Sequence, residues 1–135
     1  KFPFSTRILL AFAVLSFCTK IILQLASALP QVAHLANDIR MYVIAYLHLV
    51  LIGFVSFFLL GYYQVVSLVP VIRPIPLALL LLGYLLSECS MISVGQFPAD
   101  LIPISLTAAS LWLATGIGGV AWSMLLHRPR PMHDA

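Results

Sequence analysis

The stretch Met41–Gln64 constrains this chain more than any other part of its sequence. It reads MYVIAYLHLVLIGFVSFFLLGYYQ, an apolar run long enough to cross the hydrocarbon core of a bilayer, which takes about 20 residues in helical form. A histidine, His48, lies well inside this run. Ionisable side chains are rare in membrane spans and commonly mark a functional site there. The stretch therefore predicts a membrane helix that carries a polar feature.

Composition extends this prediction to the whole chain. The 135 residues are 62% hydrophobic and only 8% charged, whereas soluble domains carry about 25% charged residues. The sequence therefore predicts an all-α integral membrane protein in which four transmembrane helices pack as a bundle. One transmembrane domain is expected over residues 1–126, with helices at about 8–29, 41–66, 77–97 and 101–126, followed by a polar tail over 127–135.

The expected helix ends follow from prolines and capping residues. Pro30 should close the first helix, and the connector 31–40 is expected to form a brief interfacial turn. Asn37 or Asp38 can cap the second helix by accepting hydrogen bonds from its free amide groups, and Asp100 can do the same for the fourth.

Loop charges predict the orientation. Four spans put both termini and the middle connector on one side of the membrane, and that side holds more basic residues. These are Lys1, Arg7, Arg73, Arg128 and Arg130, against Arg40 on the other side. The positive-inside rule then favours cytoplasmic termini, and we expect a multi-pass protein of the bacterial inner membrane. The chain begins at Lys1 rather than Met, as would the C-terminal part of a larger protein or a processed chain.

Lys20, His48 and Glu88 are the ionisable side chains that the sequence places within the spans. Counted from the outer ends of their predicted helices, their depths differ by about 3 Å. A central charge in a span costs about 2.5–3.5 kcal/mol, so we expect the three to meet inside the bundle. Gln24 and Tyr84, one turn from Lys20 and Glu88, would complete a network. That network would serve either as a ligand site or as interhelical hydrogen bonding.

The passage AYLHLVLIGF (Ala45–Phe54) resembles the histidine-bearing helices of the haem–copper oxidase subunit I superfamily and its nitric-oxide-response relatives. This resemblance implies that His48 is a haem or metal ligand. The paired histidines of a haem–copper centre are absent from the passage. The longer segment DIRMYVIAYLHLVLIGF also resembles uncharacterised bacterial multispan membrane proteins.

Small residues repeat every four positions in the fourth predicted helix, at Ser110, Ala114 and Gly118. Such spacing lets helix backbones approach closely in membranes. We expect this stripe to pack within the chain, and dimerisation is the alternative.

Three functions remain open from the sequence. The first is a membrane protein whose intramembrane polar site binds haem or another ligand. The second is a proton-coupled transporter or carrier that uses Lys20 and Glu88, and the third is a noncatalytic assembly or scaffold subunit. The expected partners are the lipid bilayer and other membrane helices or a homo-oligomer. Nucleic acid is not expected, because no basic cluster carries interleaved aromatics. No motif selects catalytic residues, and enzymatic activity is left open.

Overall fold

The computed structural model describes residues 2–94 and 101–126 of the chain. Within these ranges the chain forms five helices, α1 (Phe4–Ala26), α2 (Pro30–Asp38), α3 (Arg40–Val65), α4 (Pro74–Ile92) and α5 (Leu101–Leu126). All of them except α2 are long and apolar enough to cross a membrane. The predicted all-α class with four spanning helices is confirmed, and the chain is a multi-pass membrane protein. The tail 127–135 and the cap expected at Asp100 lie outside the described residues.

The first connector differs from its prediction. α1 ends at Ala26, and Pro30 opens α2 rather than closing α1. Proline suits a first helical turn, because the amide hydrogen it lacks would have no partner inside the helix. The expected interfacial turn is therefore a short helix, none of whose residues is buried. The predicted cap at Asn37 or Asp38 is wrong, since Ile39 occupies the N-cap position of α3 and no side chain caps it.

The third predicted helix is shifted toward the N-terminus. The structure starts α4 at Pro74 instead of residue 77 and ends it at Ile92, followed by a turn at residues 93–94. Residues 95–97, the predicted end of this helix, lie outside the described ranges. Glu88 is therefore one turn from the end of its helix, not about nine residues inside it. Helix α5 is described over Leu101–Leu126, and both of its ends adjoin residues outside the described ranges.

The middle of α3 is π-helical rather than α-helical, over Leu49–Ser56. The side chain of Ser56 follows this wider winding, because its hydroxyl donates to the carbonyl oxygen of Leu51, five residues earlier, at 2.9 Å. The segment begins directly after His48. The sequence predicts only an uninterrupted helix here, since hydrophobicity carries no signal for the extra residue in each turn. Short π-helical segments are frequent at functional sites.

The spanning helices pack mainly on their neighbours in chain order. α1 lies along α3, α4 contacts both α3 and α5, and α5 packs chiefly against α4. The buried core follows this order and is formed by Leu9, Ala13, Phe57, Ile72, Leu77, Leu80, Leu81, Tyr84 and Val120. Large apolar side chains cover the outer faces, as expected for surfaces that contact lipid.

Glycines allow α4 and α5 to approach closely. A Cβ atom on Gly116 would lie 2.6 Å from the backbone nitrogen of Leu80, and one on Gly83 would lie 2.6 Å from that of Leu113. No side chain fits at either position without moving a backbone, which is the usual reason for glycine at such crossings. The face of α5 that packs on α4 also includes Ala109, which is fully buried.

The stripe Ser110, Ala114 and Gly118 lies on a different face of α5. All three residues are exposed, and a Cβ atom on Gly118 would meet no atom within 4 Å. The prediction that this stripe packs within the chain is therefore corrected. A step of four residues drifts by about 40° around a helix with 3.6 residues per turn. The actual contact face follows the seven-residue step from Ala109 to Gly116 instead.

Candidate functional site

A cavity of about 660 Å³ lies between α1, α2, α3 and α4. Its walls are largely apolar, and its volume falls within the range of about 300–1,000 Å³ that is typical of small-molecule sites. It is found at the end of the spans nearest α2, since α2 and the first turns of α3 contribute to it. The residues that line it are Phe12, Leu15, Ser16, Thr19, Leu23, Gln24, Ser27, Val32, Leu35, Ala36, Tyr42, Val43, Ala45, Tyr46, Leu49, Tyr84, Leu85, Glu88 and Ile92.

Tyr84 supplies a buried hydroxyl group to the cavity wall. Its side chain is only 3% exposed, and its ring packs edge-on against Phe57 with 5.2 Å between the ring centroids. The hydroxyl oxygen contacts the position that a Cβ atom on Gly53 would occupy. The oxygen is fully buried, and the hydroxyl of Ser16 on α1 lies beside it and interacts with it. Buried hydroxyls are normally hydrogen-bonded, and Ser16 is the partner within reach.

Ser16 brings a second hydroxyl group to the same place. It is buried on α1, and its Oγ would lie 2.7 Å from a Cβ atom on Gly53. The π-helical segment of α3 thus contacts the hydroxyl groups of Ser16 on α1 and Tyr84 on α4 at Gly53, which has no side chain. Glycine is required here, because any larger residue would displace the Tyr84 hydroxyl.

Glu88 lies one turn along α4 from Tyr84 and lines the same cavity. It is partly buried, and its Oε1 atom is buried without a hydrogen-bond partner in the described part of the chain. Burial of a polar atom without a partner is costly, and the cost is larger for a charged group. The carboxyl group therefore favours a molecule that can donate a hydrogen bond to it.

The opposite wall carries polar groups that are mostly satisfied or exposed. Gln24 is exposed on α1 and lines the cavity, and the Ser27 hydroxyl donates to the Gln24 carbonyl oxygen at 2.8 Å. The Thr19 hydroxyl donates to the carbonyl oxygen of Leu15 at 2.9 Å. The structure thus gathers three predicted network residues, Gln24, Tyr84 and Glu88, around one cavity.

Lys20 does not line this cavity. Its Nζ atom lies 6.0 Å from the ring centroid of Phe17, on its own helix, in the range of a cation–π contact. Equal depth in the membrane fixes the height of a residue along its helix and not its direction around it. The expected meeting of Lys20 with Glu88 is for this reason not seen in the structure.

His48 also lies outside the cavity wall. Its Nδ1 atom is 3.2 Å from the carbonyl oxygen of Ile44, one turn earlier in α3. A carbonyl oxygen can only accept, so this contact is a hydrogen bond when Nδ1 carries the proton. Among the described residues, no three His, Cys, Asp or Glu side chains form a group that could hold a metal ion.

A second polar cluster, which sequence reasoning missed, joins the other ends of α1 and α3. The buried Gln64 accepts hydrogen bonds through Oε1 from the hydroxyls of Thr6, at 2.7 Å, and Ser5, at 3.3 Å. The sequence does carry a signal for this cluster. It has a glutamine at the end of one apolar span and two hydroxyl residues at matching depth in another. The Nε2 atom of Gln64 is buried without a hydrogen-bond partner in the described part of the chain. The two bonds that Oε1 accepts make the cluster a polar link between α1 and α3.

Comparisons with protein-family models, with curated proteins and with solved structures give no match. The resemblance of Ala45–Phe54 to the haem–copper oxidase superfamily stays a prediction.

Proposed function

We propose that this multi-pass membrane protein binds a small, largely apolar molecule in the cavity between α1, α2, α3 and α4. The observation that carries the proposal is a largely apolar cavity whose wall holds the carboxyl group of Glu88, with its Oε1 atom unpartnered in the described part of the chain. An apolar cavity with a few convergent polar groups is the usual design of a small-molecule site. The apolar wall would hold the body of the ligand, and the Glu88 carboxyl group would fix its polar end.

The source of the ligand follows from the surroundings of the cavity. The helices that form it expose apolar side chains on their outer faces, including Leu47 of α3 and Leu82 of α4. Molecules that dissolve in the bilayer reach such a protein at high local concentration. The proposed ligand is thus membrane-soluble, with one polar end.

The location of the site follows from the proposed orientation. Loop charges support cytoplasmic termini in a bacterial inner membrane. The cavity lies beside α2, which belongs to the connector on the side opposite the termini. We place the site near the outer face of the membrane on this basis.

The haem form of this function has less support than the apolar ligand. Its candidate ligand, His48, does not line the cavity. A carrier function that relies on a pair of Lys20 and Glu88 also has less support, because Lys20 does not line the cavity. An assembly role through the uncovered stripe Ser110, Ala114 and Gly118 stays a prediction, which cross-linking in membranes can test.

The test is calorimetric titration of 1-adamantanol into the protein held in lipid nanodiscs, with empty nanodiscs as the blank for partitioning. The wild-type chain should give saturable heat. Ala45→Phe, which fills the buried α3 wall of the cavity, should abolish it, and so should Ala36→Phe from the α2 side. Ala78→Phe is the matched control, because Ala78 is exposed on α4 and outside the cavity wall. The proposal is contradicted if the wild-type protein gives no saturable binding heat. It is also contradicted if the binding heat of Ala45→Phe and Ala36→Phe equals that of the wild type.

A further inference from the structure

The cavity wall contains one carboxyl group and no basic side chain. Among the described residues that line it, Glu88 is the only aspartate, glutamate, lysine, arginine or histidine. The remaining polar residues carry hydroxyl, phenol or amide groups. A carboxylate in an apolar cavity is unfavourable unless a positive charge or a proton accompanies it. The protein supplies no such positive charge from the cavity wall.

Aromatic rings are the second feature of this wall. Phe12, Tyr42, Tyr46 and Tyr84 line the cavity from three different helices. The faces of aromatic rings attract cations, and this attraction grows when the cation is removed from water. A cavity that holds a single carboxylate and several aromatic residues is thus complementary to an organic cation rather than to an anion.

The hydrogen-bonding capacity of the wall agrees with its charge. A carboxylate oxygen only accepts, and a phenol oxygen can accept as well as donate. An ammonium group has three donors and no acceptor. It can therefore donate to the Glu88 carboxyl group, whose Oε1 atom has no partner in the described part of the chain.

We propose that the ligand of this cavity is a lipophilic amine that binds as a monovalent cation, with its ammonium group on Glu88 and its apolar body against the aromatic and aliphatic wall. This inference rests on the proposed binding function and names the chemical class of its ligand. A metal cation is a poor alternative, because a hard cation requires several oxygen ligands and the wall offers one carboxylate.

The experiment compares two probes of the same shape, 1-aminoadamantane and 1-adamantanol, in nanodiscs at pH 7. The amine is protonated and the alcohol is neutral, so their difference in affinity reports on charge. The wild-type protein should bind the amine about tenfold more tightly or better, as expected for a charge-assisted hydrogen bond. Glu88→Gln should remove this preference and retain the alcohol, which also shows that the variant is folded.

The outcomes separate this inference from the function on which it rests. Equal affinities of the wild type for amine and alcohol overturn the cationic ligand and leave the cavity function standing. A preference for the amine that survives in Glu88→Gln also overturns it. Failure of both probes to bind the wild type overturns the cavity function itself. The comparison of probes on the wild type needs no variant, so it is decisive even where a substitution perturbs folding.

Discussion

The hydroxyl oxygen of Tyr84 lies against Gly53, in the space that a side chain at residue 53 would fill. This contact joins the π-helical segment of α3 to the polar wall of the cavity on α4. Gly53 lies within the π-helical segment of α3, and its lack of a side chain allows the Tyr84 hydroxyl of α4 to approach the α3 backbone closely. The site therefore depends on a backbone irregularity that lies next to it.

Gly53→Ala should destabilise the protein by about 1–3 kcal/mol, the usual cost of overpacking a filled region. The added methyl group would clash with the Tyr84 hydroxyl and crowd Ser16 Oγ. Adding Tyr84→Phe should recover part of this loss, because it removes the nearer obstacle. A double-mutant cycle on unfolding free energies in detergent measures the coupling. Strictly additive effects would show that residue 53 and the phenol oxygen are not in contact.

Gly116→Ala should separate α4 from α5, because the new methyl group would lie 2.6 Å from the Leu80 backbone nitrogen. We expect a loss of about 1–3 kcal/mol in unfolding free energy. Gly118→Ala is the matched control on the same helix, where a Cβ atom meets nothing within 4 Å. Equal effects of the two substitutions on thermal unfolding would contradict the assignment of the contact face.

Glu88→Gln should change the stability of the ligand-free protein by less than about 1 kcal/mol. Breaking a buried ion pair by removing one partner costs about 3–5 kcal/mol, but Lys20 does not line the cavity that holds Glu88. A cycle of Lys20→Met with Glu88→Gln should give a coupling below about 0.5 kcal/mol, as for independent sites. A coupling of several kcal/mol would restore the pairing that equal depth suggests.

Thr6→Val should cost about 0.5–1.5 kcal/mol, the net value of a typical hydrogen bond. The substitution preserves shape and leaves Gln64 Oε1 with only the longer bond from Ser5, at 3.3 Å. Thr107→Val is the control, since the Thr107 hydroxyl is exposed and bonds only within its own helix. Chemical unfolding of both variants measures the difference. A larger loss in Thr107→Val would show that the link between α1 and α3 contributes little.

The spans could be predicted from the sequence because the bilayer imposes a minimum length and an apolar surface on each helix. The structure accordingly has four helices long and apolar enough to span a membrane, as predicted. The neighbourhood of Tyr84 and Glu88 was also predictable, since residues one turn apart share a helix face. The sequence does not predict helix α2, because Pro30 suggests a helix end, although proline equally suits a first turn.

The lateral arrangement could not be read from the sequence in the same way. Depth placed Lys20, His48 and Glu88 at one level, but the direction of each side chain depends on how the helices rotate against each other. That rotation is set by close contacts such as those of Gly83 and Gly116 with the opposite backbone. The π-helical winding after His48 leaves no mark in hydrophobicity.

The central claim is that an apolar molecule occupies the cavity between α1, α2, α3 and α4. Photolabelling with adamantane diazirine in nanodiscs, followed by mapping of the labelled peptides, tests it most directly. The account predicts label within residues 84–92 of α4 and 12–27 of α1, lost in Ala45→Phe and retained in Ala78→Phe. Label spread over lipid-facing positions such as Trp122 and Leu125, and unaffected by Ala45→Phe, would contradict the claim.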